Sequence, residues 1–167
     1  GTAGMEIGGG VVVGALVAVN AWGDVVDPQT NQIIAGLRAG KVGPLRVGKK
    51  DYFADTLAML KSSVGRGVLG LAARANTVIG VIATNAKLTK AQATKVAQMA
   101  QDGVARTIRP AHTMLDGDVI FALATGAKGA DVSSVGAFAA EVMAEAIPRA
   151  VRMAAAAGNL PGLFEER

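Results

Sequence analysis

The chain has no cysteine, a single histidine and only 4% aromatic residues. Without cysteine there is no disulfide, no thiolate nucleophile and no thiolate metal site, whatever the compartment. With so few aromatics, the core must be built from Ala, Val, Leu, Ile and Met, which the 51% hydrophobic content can supply. Charge is also sparse, at 18%, and this composition does not favour disorder. The net charge is a modest +4. Arg38, Lys41, Arg46, Lys49 and Lys50 fall in one stretch, but no aromatic residues interleave with them as a base-stacking surface requires. That stretch reads as a solvated loop, and no nucleic-acid partner is expected. No apolar run reaches the roughly 18–20 residues of a membrane span. The longest, Gly10 to Trp22, is broken by Gly14 and Asn20. No signal peptide is visible, so neither a membrane partner nor export is expected, and the expected location is the cytoplasm. The chain opens on Gly1 and not on Met, as a processed or partial product does.

Glycine is plentiful, at 22 of 167 residues, and predicts tight turns and close backbone packing. The length allows one domain with a real core, and no linker or repeat divides it. Residues 1–10 read as a Gly-rich turn. Gly8-Gly9-Gly10 lacks the spacing and the following helix of a dinucleotide loop. Val11 to Asn20 reads as a buried strand. Residues 24–50 form a long connection carrying Pro28 and Pro44. Asp51 is expected to cap a short helix from Tyr52 to Ser62, and residues 63–75 read as another Gly-rich loop. Thr77 to Thr84 is a second strand. Thr89-Lys90-Ala91-Gln92 is a capping box opening a helix to about Ile108, in which Gly103 predicts close contact with a neighbour. Pro110 stops that helix. Asp118 to Thr125 is a third strand. Asp131 caps a long helix to about Ala157, with a kink expected at Pro148. The residues after Gly158 read as a loop. Strands alternating with helices argue for a layered α/β fold.

Three polar sites lie at strand ends: Asn20, Asn76-Thr77, and Asp116 with Asp118. Each has an ordinary reading. Asn at a strand end is commonly a turn residue, Asp-Gly is a hairpin signal, and Thr opening a strand is usually a β-branched sheet residue. As a metal site, two carboxylates are a thin ligand set, so no metal or other cofactor is expected. Thr77 carries a further chemical possibility. If the Asn76–Thr77 bond is cut, Thr77 owns a hydroxyl nucleophile and an α-amine base within one residue. That amine has a reference pKa of roughly 7.7–8.0, so no Cys or His is needed as base near neutrality.

The segments that carry these sites resemble one family. Asn76-Thr77-Val78-Ile79-Gly80-Val81-Ile82-Ala83-Thr84-Asn85-Ala86 resembles the self-processing segment of the L-aminopeptidase/D-esterase family, which includes β-aminopeptidases and nylon-oligomer hydrolases. The resemblance continues through Leu88 to Gln92, Lys95 to Ala100, His112 to Asp118 and Ile120 to Gly126. Upstream it includes Val13 to Asn20. It is nearest to the nylon-oligomer hydrolases, because Thr follows Asn.

The resemblance implies a four-layer αββα sandwich of the N-terminal-nucleophile type, cleaved between Asn76 and Thr77. It implies amide hydrolysis by Thr77, an oxyanion donor at Asn20, and Asp116 and Asp118 orienting the Thr77 hydroxyl and amine. The implied substrate is a short linear amide, and the implied assembly is a homo-oligomer with the two cleaved pieces held together. Trp22 is a candidate pocket wall, although ordinary packing is the stronger reading, and His112 a structural turn residue. Family members are longer. They carry an amino-terminal half, and an active-site Lys just before the region matching Gly1-Thr2-Ala3, to which Lys41, Lys49 and Lys50 do not correspond. The chain is therefore expected to be the carboxy-terminal half to two-thirds of the family domain. Acyl transfer to an amine, as in ornithine acetyltransferases, and a non-catalytic assembly module are the competing readings.

Overall fold

The computed structural model describes all residues except 43–44, 48–51, 73–75, 159 and 165–167. Its centre is a four-stranded sheet built from β1 (Thr2–Glu6), β2 (Val12–Asn20), β7 (Thr77–Ala86) and β9 (Val119–Lys128), in the spatial order β1-β2-β7-β9. β1–β2 and β2–β7 are antiparallel, and β7–β9 is parallel. A parallel neighbour needs a crossover, which α3 (Lys90–Thr107) supplies. α4 (Val132–Arg152) lies beside α3 on the same face of the sheet, so the two helices form one layer on this sheet.

The residue pattern shows why the helices choose that face. Along β7, buried Val78, Gly80, Ile82, Thr84 and Ala86 alternate with more exposed Thr77, Ile79, Val81, Ala83 and Asn85. β2 does the same with Val13, Ala15 and Val17. These inward residues pack against Val96, Ala100 and Val104 of α3 and Val135, Ala139, Val142, Met143, Ala146 and Ile147 of α4. Gly103 lets the two helices meet. A Cβ there would stand 2.5 Å from the Ala140 carbonyl oxygen and 2.9 Å from the Ala144 nitrogen. The apolar stripe of α4 is therefore core.

Among the described residues no layer covers the opposite face of the sheet. Leu16, Phe121 and Leu123 are 59%, 55% and 60% exposed, and Val12, Ile79 and Val119 share their face. Isolated exposed apolar residues are ordinary, but a contiguous set on one sheet face marks a contact surface.

Several elements differ from the sequence expectation. Residues 2–6 form an edge strand, and only Gly8, Gly9 and Gly10, all at positive φ, make the turn. The long connection is not structureless. It holds β3 (Asp24–Val26), β4 (Ile33–Ala35), and the hairpin β5 (Gly40–Val42) with β6 (Leu45–Val47). β3 pairs with both β4 and β8 (Ile108–Arg109). Thus Lys41 and Arg46 sit on a hairpin, and Arg38 lies over the Tyr52 ring, while Pro44, Lys49 and Lys50 lie outside the described residues. The expected Asp51 cap also lies outside them. The helix there is shorter, α1 (Thr56–Leu60), and its cap is Asp55, whose side chain accepts from the Ala58 nitrogen at 3.0 Å.

The stretch from 63 is a helix and not a loop: α2 runs from Ser63 to Ala72. The Ser62 hydroxyl caps it by accepting from the Gly65 nitrogen at 2.9 Å, and Leu69 packs on Ala54 and Met59. Capping and packing outweigh the low helix propensity of its three glycines. α4 ends at Arg152, five residues before the expected Ala157, with Pro148 buried inside it.

Candidate functional site

Pairing of β2 with β7 brings two of the expected residues together. Asn20 is directly opposite Thr77 in the antiparallel register. Both share the parity of the uncovered face, at the end of the sheet where β7 begins. The next neighbour is the lead-in to β9, where Asn76 bridges Asp116 in parallel fashion. The strand ends thus gather Asn20, Asn76-Thr77 and the Asp116-Gly117-Asp118 segment, which the sequence keeps far apart.

The Asn76–Thr77 peptide has a defined setting. The Thr77 hydroxyl donates to the Asn76 carbonyl oxygen at 2.7 Å. The Gly117 main-chain N–H donates to the same oxygen at 3.0 Å. Asp118 accepts from the Val78 nitrogen at 2.8 Å and so fastens the residue after Thr77. The Asp116 carboxylate accepts from the Thr113 nitrogen at 2.9 Å and the Thr113 hydroxyl at 2.7 Å, closing the turn that carries Gly117. Asp118 therefore spends this bond on the backbone just after the peptide, Asp116 spends its bonds on Thr113, and the Thr77 hydroxyl spends its own on Asn76.

Burial pushes the Asp118 carboxyl above its ordinary value. The bond from Val78 opposes that shift, the neighbouring Asp116 charge adds to it, and nearby His112 opposes it. His112 is exposed, has φ of 56°, and places Nε2 3.1 Å from the Gln101 side-chain oxygen, as a turn residue does. Trp22 packs beside Ala54, Met59 and Leu69 in a small second cluster. A shallow depression next to the site is lined by Asn20, Gly36, Arg38 and Pro161. Among the described residues no group of three His, Asp or Glu side chains is placed to hold a metal, and no helix is long and apolar enough to cross a membrane.

Three residues at or near the site carried no sequence signal of their role. Thr113 orients Asp116, and Gly117 reaches the Asn76 carbonyl. Asp24, 2% exposed, accepts from the Thr56 nitrogen at 2.6 Å, the Thr56 hydroxyl at 2.9 Å and the Leu37 nitrogen at 3.3 Å. It ties β3 to the segment that packs around Trp22. Burial raises its pKa, against the bonds from Thr56 and Leu37.

Comparison with known proteins bears on the family and the fold. The chain is 40% identical over 176 aligned positions to an uncharacterized aminopeptidase of Mycobacterium tuberculosis, covering 96% of this chain and 49% of that protein. It is 27% identical over 160 positions to the 6-aminohexanoate-oligomer endohydrolase of a Kocuria species, covering 86% of this chain and 42% of that protein. The chain thus spans about half the length of the relatives it matches. Its fold matches the L-aminopeptidase D-Ala-esterase/amidase of Ochrobactrum anthropi, a variant of the N-terminal-nucleophile hydrolase fold. That match has a TM-score of 0.55 at 19% identity, over 92% of this chain and 40% of that one. The profile of peptidase family S58 matches residues 1–162, and the chain belongs to that family.

Proposed function

We propose that the protein containing this chain is a self-processing amidohydrolase of the aminopeptidase and nylon-oligomer hydrolase type. The observation that carries this reading is the Thr77 hydroxyl resting 2.7 Å from the carbonyl oxygen of the preceding peptide, with Asn20 across the sheet from it. In the first stage the Thr77 oxygen attacks the Asn76 carbonyl carbon, and water resolves the resulting ester. In the second, the freed Thr77 α-amine takes the hydroxyl proton as Thr77 attacks a short linear amide, and water releases the acyl group. Asn20 donates to the oxyanion of that second stage. Asp116 and Asp118 act by orienting: one shapes the turn and the other fixes Val78 beside the nucleophile.

The arrangement of the pieces supports their staying associated after cleavage. Residues 1–76 contribute β1 and β2; β1 pairs with β2, β2 pairs with β7 from Val13↔Thr84 through Asn20↔Thr77, and both strands share one core with α3 and α4. A cut at the edge of that ladder removes none of its cross-strand bonds. The uncovered sheet face suits the second sheet of an αββα sandwich, and the whole protein is proposed to assemble as a homo-oligomer.

The test is the intact mass of the full-length protein. The parent is expected to give two pieces divided between Asn76 and Thr77, and Thr77→Ala one uncut chain without amide hydrolysis. Cleavage elsewhere, or undiminished hydrolysis by Thr77→Ala, removes the proposal.

A further inference from the structure

Resting on the reading that Thr77 attacks Asn76, we infer that Gly117 is a catalytic residue of the self-cleavage step. Its main-chain N–H stabilises the oxyanion formed on the Asn76 carbonyl, and its missing side chain leaves room for the nucleophile. Two donors converge on that oxygen, the Thr77 hydroxyl at 2.7 Å and the Gly117 N–H at 3.0 Å. They have different fates. As the Thr77 oxygen bonds to the carbonyl carbon, the hydroxyl gives up its own hydrogen bond. The Gly117 N–H stays in place as negative charge develops on the oxygen, and a fixed donor aimed at developing charge stabilises the transition state.

The donor is held by the fold. Asn76 bridges Asp116 just ahead of the β7–β9 ladder, and the Thr113–Asp116 bonds close the turn from the other side. Glycine matters sterically as well. A Cβ at 117 would lie 3.0 Å from the Thr77 hydroxyl oxygen, tighter than ordinary van der Waals contact, and 3.7 Å from the Asn76 oxygen. The chemistry balances as follows. The Oγ–C bond forms and the C=O π pair moves to oxygen. The C–N bond then breaks, and the hydroxyl proton ends on the Thr77 nitrogen. One water hydrolyses the ester, giving the Asn76 carboxylate and restoring the hydroxyl.

The experiment uses cell-free synthesis of the full-length protein with glycolic acid in place of Gly117, which exchanges only that N–H for an oxygen. Fragment appearance is followed by mass, and folding by thermal melting. Self-cleavage is expected to slow by about a hundredfold, the usual loss on removing one oxyanion donor, with melting close to the parent. If the ester chain does not fold, Gly117→Ala is read instead. It keeps the donor and crowds the hydroxyl, and is expected to slow cleavage about tenfold by displacing the nucleophile. A folded ester chain, or failing that a folded Gly117→Ala chain, that cleaves at the parental rate overturns the inference and leaves Thr77 standing. Cleavage by Thr77→Ala, or a parent that never cleaves, overturns both.

Discussion

Asp118→Ala isolates the contribution of a carboxylate that bonds to the backbone beside the proposed nucleophile, Thr77. Its bond to the Val78 nitrogen, at 2.8 Å, is made at the first strand position after Thr77. A hydrogen bond to a charged group contributes about 1.5–3 kcal/mol. Asp118 is only half-buried, so the lower part of that range applies. At 1.36 kcal/mol per factor of ten, losing about 1.5–2 kcal/mol of positioning slows self-cleavage by about 10- to 30-fold. Asp118→Asn keeps a neutral acceptor and is expected to recover part of the rate.

The pH dependence carries a sign. Because burial raises the Asp118 pKa, the carboxylate is lost as pH falls through a value above the ordinary one. The parent's self-cleavage should therefore decline on the acid side earlier than an exposed Asp at about 3.9 would dictate. Asp116→Asn removes a like charge and is expected to move that limb to lower pH, and Asp118→Asn to abolish it. The assay is fragment formation by intact mass across pH, with circular dichroism as the control for folding. A folded Asp118→Ala chain with the parental rate and the parental acid limb refutes the reasoning.

Thr77→Ser retains hydroxyl and amine and is expected to keep part of both self-cleavage and amide hydrolysis, measured by mass and by release of an amino-acid anilide. Asp24→Ala leaves the buried Thr56 hydroxyl and two main-chain N–H groups without their acceptor, and is expected to cost about 3–5 kcal/mol in urea denaturation. Because the folded Asp24 pKa is raised, its stabilisation is fully present below the unfolded value of about 3.9 and fades as pH rises through the folded value; Asp24→Asn should flatten that limb. Gly103→Ala drives a methyl into the α4 backbone and is expected to cost about 1–3 kcal/mol. Gly80→Ala meets the flexible end of Met143 and should cost less in the same melting experiment.

Local chemistry made much of the fold legible. The Thr89–Gln92 capping box forms both of its bonds, and Asp131 caps α4 through the Ser134 nitrogen. Each of these signals lies within four residues and survives almost any tertiary context. The apolar strands β2, β7 and β9 were readable for a similar reason, since their lengths and flanks are local. The helix α2 was not. Its glycines argue for a loop, and only the Ser62 cap and the seat of Leu69 on Met59 reverse that preference.

The site divides along the same line. Thr77 stood out as the candidate nucleophile in the sequence because its chemistry would belong to one residue and its setting is a contiguous run that resembles one family. Its position opposite Asn20, the reach of Asp118 to Val78 across 40 residues, and the Gly117 N–H on the Asn76 carbonyl come from strand register. Register is set by the packing of whole strand faces against α3 and α4, and a slip of one residue would turn Thr77 into the core. The sequence by itself determined which residues have the chemistry; the tertiary structure decided which of them meet, because only the shared core chooses which face of each strand turns outward.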